Sequence, residues 1–346
     1  MTALVNLCGA ALGLGVIQIA LAGCSATEPR PDAAPAGRGE RLRVLVDTDA
    51  NNELDDQHAL AYLLFNGDTF SVAGVTVNAT RGGGTIDAHV AEAQRVLALC
   101  GREGVVSLHA GANGSFETIR PTIGRPGFDG ADAVHFIIAQ AHAATSAPLV
   151  LLPIGKLTNI ALALAKDPSI ASNVRIVWLG SHYPEPGEYN LENDSAALRY
   201  VLSVDVPFEM VTVRSGAGTG TDVVRVTQRE INDRMPGLGP RTATPVMGRH
   251  GEAFQTFGDY AVNLFAHITY SGTPPSRALY DMAAVAILKQ PAWAHASEQP
   301  APALVGERWQ VRPDNPRRIT IWERFDREAI LADFWATLAR PVLAAP

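Results

Sequence analysis

From Leu42 onward, short β-rich apolar runs alternate with stretches whose apolar residues recur at helical spacing. The runs predict strands over Leu42–Val46, Val72–Val77, Val105–Leu108, Leu149–Pro153, Val174–Leu179 and Phe208–Val213. Between them, helical spacing predicts helices over Asp56–Leu64, Ala88–Leu99, Ala131–Ala141, Leu157–Ala165 and Ser195–Leu202. Strand-helix alternation of this kind implies an α/β fold, an open and mostly parallel sheet with helices on both faces and a Rossmann-like core. The region from Thr227 to Leu288 reads as mainly helical. Strands follow around Arg308–Arg312 and Arg318–Trp322, with a closing helix at Arg327–Leu338. No internal repeat interrupts this order, and residues 42–346 are expected to form a single domain.

The segment before Leu42 follows a different pattern. Residues 1–23 carry no Lys, Arg, Asp or Glu, and end in Leu21-Ala22-Gly23 before Cys24. Their apolar run of roughly ten residues is too short to span a bilayer. Small residues before a cysteine resemble the lipobox of bacterial lipoproteins, in which cleavage leaves the cysteine as the acylated first residue. The resemblance implies a signal peptide over 1–23, lipidation at Cys24, and a protein tethered to a membrane of the cell envelope, periplasm-facing or at an outer membrane. Ser25 to Arg41, rich in Pro, Ala and Gly, reads as the tether. Processing would leave Cys100 as the last of the 3 cysteines, excluding an intramolecular disulfide. At the end of an apolar helix, Cys100 is expected to be a buried core thiol.

A hydrophobic content of 47% is sufficient for a large core, and the net charge of −7 comes with no Lys/Arg-rich block. Binding to nucleic acid is therefore excluded, while single nucleosides are not.

The candidate chemistry lies where strands end, since open parallel sheets bind ligands beyond the carboxyl ends of their strands. After the first strand, Asp47-Thr48-Asp49-Ala50-Asn51-Asn52-Glu53-Leu54-Asp55-Asp56 places five carboxylates in ten residues. Like charge at that density repels itself unless a cation neutralises it. Helix capping accounts for one or two of the five. Oxygen ligands favour calcium or magnesium over zinc, for which the 9 histidines offer no ligand spacing.

An Asp-Thr-Asp strand end, a loop, and Asp-Asp opening a helix resemble the N-terminal signature of the nucleoside hydrolase family. The loop from Asp49 to Asp55 is longer than in the best-known members. The resemblance implies Asp49 as a calcium ligand and general base, Asp56 as a second ligand, and Asp55 as a partner for a ribose hydroxyl. Leu152-Pro153-Ile154-Gly155-Lys156-Leu157 resembles the family's strand-to-helix turn, which implies the Ile154 carbonyl as a metal ligand; Lys156 stands where proline is usual. Gly187-Glu188-Tyr189-Asn190 resembles the ribose-binding segment, implying Glu188 and Asn190 as hydroxyl partners. Read as extended backbone, it would point both side chains to one side. His182 occupies a place where asparagine is common, and Asn78 matches a further sugar-binding asparagine. Tyr280-Asp281 resembles the start of the helix that carries the last calcium ligand, Asp281, with Tyr280 in place of the histidine that protonates the departing base.

The implied activity is calcium-dependent hydrolysis of the N-glycosidic bond of nucleosides to free base and ribose. Its transition state carries positive charge on the ribose ring, and Tyr183 and Tyr280 are candidate proton donors to the base. Two alternatives remain: a non-catalytic ribosyl- or sugar-binding lipoprotein, and a hydrolase of another ribosyl or glycosyl compound. No Gly-x-Ser-x-Gly motif supports an esterase. Family members are commonly dimers or tetramers, so the resemblance also implies homo-oligomerisation.

Overall fold

The computed structural model describes residues 41–143 and 147–346. The leader, Cys24 and the tether lie outside the described residues. In the first half, chain order gives β1 (Leu42–Thr48), α1 (Asp55–Leu64), β2 (Phe70–Val77), α2 (Ile86–Leu99), β3 (Leu108–Ala110) and α3 (Phe116–Ile119). It continues with α4 (Ala131–His142), β4 (Leu149–Pro153), α5 (Thr158–Lys166), β5 (Val174–Leu179), α6 (Tyr189–Asn193), α7 (Ser195–Ser203) and β6 (Phe208–Val211). Then come β7 (Arg225–Thr227), α8 (Gln228–Arg234), β8 (Val246–Met247), β9 (Ala253–Phe254), α9 (Phe257–Ala266), β10 (Ser276–Ala278) and α10 (Tyr280–Lys289). The chain closes with β11 (His295–Pro300), β12 (Ala303–Val305), β13 (Arg308–Gln310), β14 (Arg318–Glu323) and α11 (Arg327–Ala339).

Eight strands form one sheet in the order β11-β14-β6-β5-β4-β1-β2-β3. Every pairing in it is parallel except that of β11 with β14. Alternation along the strands divides the core in two. Val44, Val46, Val150, Leu152 and Val177 face one side, with α1, α2, α9, α10 and α11 over them. Leu45, Leu149, Leu151, Ile176 and Trp178 face the other, beneath α4, α5 and α7. Each such aliphatic side chain, fully buried, contributes about 1.5–3 kcal/mol. All ten residues of α1 are buried, because the sheet lies on one side of it and α10 packs on another.

This strand order sets the position of the site. Chain progression moves outward from β1 through β2 to β3, then returns to β4 on the opposite side of β1, so the order reverses between β1 and β4. Loops leaving the two strands at such a switch point diverge to opposite faces and open a crevice. Residue Asp49 leaves β1 there and Ile154 leaves β4.

The mostly parallel sheet, the helices on both faces and the buried Cys100 agree with the sequence expectations. The strand expected at Val105–Leu108 instead runs over Leu108–Ala110, because Arg102 to Val106 form a turn that leaves Val105 45% exposed. The region Thr227–Leu288 is only partly helical: the short strands β7 to β10 separate α8, α9 and α10. Strand β13 joins a two-stranded hairpin with β12 rather than the main sheet. The antiparallel edge strand β11, His-Ala-Ser-Glu-Gln-Pro, lacks the apolar run that marks the others.

Candidate active site

The β1 end supplies two kinds of carboxylate. Asp47 belongs to the scaffold: fully buried, it accepts hydrogen bonds from Thr76 Oγ1 (2.6 Å), Asn78 Nδ2 (2.9 Å) and Asn159 Nδ2 (2.7 Å). These cross-links tie the ends of β1 and β2 to the start of α5. Burial nevertheless pushes its carboxyl up to about 6. Asp49 lines the pocket, with Oδ2 accepting from Thr80 Oγ1 at 2.6 Å. Burial first, and the neighbouring Asp47 and Glu188 carboxylates after it, raise Asp49 to about 7.

Asp55 and Asp56 open α1, and Asp281 stands in the first turn of α10. Two helix N-termini therefore converge on one point, and their dipoles favour negative charge there. One oxygen from each of Asp55, Asp56 and Asp281 lies within 4.8 Å of the others. The Asp56 Oδ1 atom accepts from the Thr48 hydroxyl and from the Asp49 backbone N–H (3.2 Å). Asp55 and Asp281, each at the start of its helix, bring their carboxyl oxygens to within 4.8 Å of each other and of Asp56. Burial raises Asp55 to about 7. Burial, reinforced by the surrounding carboxylates, holds Asp56 and Asp281 well above the usual carboxylate range.

A hard divalent cation suits this oxygen set and would offset the repulsion among its carboxylates. Ile154 also lines the pocket, and its carbonyl accepts from the pocket-lining Asn190 Nδ2 at 3.0 Å. The tight triad thus contains Asp55, which the sequence placed on the sugar, whereas Asp49 lines the same pocket beside it.

Glu188 and Asn190 both reach the pocket, but not through extended backbone. Glu188 has φ 117° and caps α6; its carboxylate accepts from the N–H groups of Ser181 (2.8 Å), Asn190 (2.9 Å) and Leu191 (3.0 Å). Those bonds fix a conformation that would be strained in isolation. His182 lines the wall, and burial lowers its pKa, favouring the neutral ring. Asn78, expected to touch the sugar, is fully buried beside the pocket lining, its Nδ2 donating to Asp47 while its Oδ1 has no partner. Tyr183 is also displaced from its expected place, packing edge-on against Trp309 at 5.2 Å and leaving Tyr280 as the pocket-lining tyrosine of that pair. Burial pushes the Tyr280 phenol up, keeping it protonated, and Ser215 lines the same pocket.

The pocket encloses about 270 Å³, close to the smallest cavities that take small molecules, on the order of 300 Å³. Its walls include Asn52, Glu53, Ser215 and Arg277, none of which the sequence reading assigned. The length of the Asp49–Asp55 loop was the available sign for Asn52 and Glu53. Nothing in hydropathy or spacing marks Ser215 or Arg277. The loop itself is held from below: Gln57 Nε2 donates to the Ala50 carbonyl (2.7 Å) and to Glu92 Oε1 (2.9 Å), while Asn51 Nδ2 donates to Gly83 O (2.7 Å).

The raised carboxyls make stability depend on pH. With folded values near 7 for Asp49 and Asp55 against 3.8 unfolded, the native metal-stripped chain holds protons that the unfolded chain has released. The stability they give is lost as pH rises through about 7. Buried His58, lowered to about 4, acts in the opposite sense and only below its ordinary value of 6.5. Between about pH 6.5 and 8, Tm in chelator should therefore fall, and an added divalent cation should raise Tm most at the upper end. Differential scanning fluorimetry across that window checks this; a Tm that rises with pH in chelator would contradict it.

The same architecture recurs among known proteins. A plant nucleoside hydrolase superposes with a TM-score of 0.67 at 18% identity, covering 87% of this chain and 100% of that one. An uncharacterised protein of Schizosaccharomyces pombe is 27% identical over 212 residues, covering 55% of this chain. The pyrimidine-specific ribonucleoside hydrolase RihA of Shewanella woodyi is 29% identical over 191 residues, covering 48% of this chain. The matched stretches span 66% and 58% of those two relatives' lengths. Residues 44–332 match the sequence profile of the inosine-uridine preferring nucleoside hydrolases, a range that takes in Asp49, Asp56, Ile154 and Asp281. The chain belongs to that family.

Proposed function

We propose that the protein hydrolyses the N-glycosidic bond of ribonucleosides to free base and ribose, using a calcium ion at the acidic cluster. The observation that carries this reading is the convergence of Asp49, Asp55, Asp56 and Asp281 in one pocket with the Ile154 carbonyl. Asp56, Asp281 and the Ile154 carbonyl would hold the ion, beside Asp49. When bound, the ion supplies a Lewis-acid centre that orients ribose hydroxyls and makes water more acidic.

The protein's own groups carry the remaining steps. Asp49 takes the proton of the attacking water; a carboxyl near 7 in the metal-stripped chain is already basic enough for that role, and a bound cation favours its ionised form. Asp55, Glu188 and Asn190 bind hydroxyls and fix the ring against the water, so the reaction proceeds from a positioned pair. As the C1′–N bond stretches, positive charge grows on the ribose, and the surrounding carboxylates stabilise it more than they do the ground state. The water oxygen bonds to C1′, and the bond's electron pair leaves with the base nitrogen. The departing base gains a proton from the Tyr280 side of the pocket or from solvent.

Ribose release from a panel of nucleosides, with and without EDTA, tests this. Activity should require the metal, and Asp49→Asn should lower kcat by about 10²–10⁴-fold. No release by folded, calcium-loaded protein would favour a non-catalytic ribosyl-binding role or another glycosyl substrate.

We also propose that Cys24 carries a lipid anchor that places the activity in the cell envelope; the Leu21-Ala22-Gly23-Cys24 run supports this. Among the described residues no helix is long and apolar enough to cross a membrane. Radiolabelled palmitate should enter the full chain in a bacterial host and be absent from Cys24→Ser; equal labelling of both would refute the anchor.

A further inference from the structure

Cleavage of a glycosidic bond separates charge: the sugar becomes positive and the base negative. The carboxylates serve the first. Among the described residues Arg277 is the one Lys or Arg on the pocket wall. A guanidinium beside the developing positive ribose would oppose the reaction, so the productive pose sets Arg277 at the opposite end, against the base.

Arg277 is built into that position. It lies at the centre of β10, paired with Val226 of β7. Arg225 pins the strand from behind, donating from Nε to Ser276 Oγ (2.9 Å) and from a terminal nitrogen to the Ser276 carbonyl (2.9 Å). The Leu279 N–H completes the fixation by donating to the Val224 carbonyl at 2.8 Å. The Arg277 side chain is 18% exposed, and one terminal nitrogen is ion-paired with Glu53, from the long loop after β1. Its Nε–H is shut off from solvent and has no hydrogen-bond partner. A half-buried guanidinium in the pocket wall, on a braced strand beside the Tyr280 phenol, commits one terminal nitrogen to Glu53 and keeps further N–H donors for an acceptor in the pocket.

Resting on the nucleosidase reading, we propose that Arg277 holds the departing base. Its guanidinium donates to a carbonyl oxygen conjugated with the glycosidic nitrogen and stabilises the negative charge that arrives there as the C1′–N bond breaks. Glu53 is its positioning residue, and the Tyr280 hydroxyl or solvent then returns a proton to the base nitrogen. Arginine cannot give up its own proton at working pH, so it stabilises the anion without becoming the acid. Adenosine, which offers an amino group in place of a carbonyl, is disfavoured.

Two substrates with different leaving groups test this: uridine, whose base needs help to depart, and p-nitrophenyl β-D-ribofuranoside, whose phenolate leaves unaided. For the calcium-loaded full chain, Arg277→Ala should lower kcat/KM on uridine by about 100-fold or more. On the aryl riboside the loss should stay within about threefold, since no assistance is being removed there. Arg277→Lys, which keeps charge and a donor, should recover part of the uridine activity. Equal losses on both substrates in both variants, or no loss on uridine, would overturn the assignment. Wild type that cleaves the aryl riboside but no nucleoside would overturn it as well, leaving a ribosyl hydrolase. Wild type inert on both would bring down the nucleosidase reading, and this inference with it.

Discussion

Three mutually repelling carboxyls, Asp55, Asp56 and Asp281, are buried at one point, and the rest of the molecule is arranged around that arrangement. Burying unpaired like charge is among the most unfavourable things a fold can do. Here it is tolerated because α1 and α10 point their N-termini at the cluster, because the Thr48 hydroxyl and the Asp49 backbone N–H bond Asp56, and because burial raises the carboxyl pKa values and so favours the protonated forms. Each of these is a partial substitute for a cation. The strand order supplies the location: a reversal between β1 and β4 opens the sheet where Asp49 and Ile154 leave it.

Behind the cluster stands a buried polar layer outside the pocket lining. Asp47 gathers Thr76, Asn78 and Asn159, so the ends of two strands and the start of a helix move as one piece. Trp178 donates to the Gly155 carbonyl at 3.0 Å, steadying the turn that carries Ile154. Such satisfied buried networks favour a single geometry, which a site built on oxygen ligands needs. Glu53 and Arg277 form a locally neutral pair in the pocket wall, setting a fixed guanidinium into a cavity whose other charged lining groups are carboxylates.

Much of this was legible in the sequence, for identifiable reasons. Core strands show as apolar runs because they are buried on both faces, as β4 and β5 are. The Asp-rich end of β1 was legible because helix capping accounts for only one or two of five carboxylates in ten residues. Local conformation was harder to read: Glu188 adopts a left-handed backbone to cap α6, which no pattern around Gly187 announces. Asn78 follows its strand as read, yet the sequence did not show that its Nδ2 would be held by the buried Asp47. Arg277 was invisible because it enters on a three-residue strand set by long-range pairing with β7.

The most direct test of the central claim is isothermal titration of metal-stripped protein with calcium, beside Asp56→Ala. One calcium per chain, bound with proton release near neutral pH and lost in the variant, is expected if the buried carboxyls form a cation site. No binding by folded protein, or binding that Asp56→Ala leaves unchanged, would mean that the cluster is held by protons alone and that the chemistry built on it here is wrong.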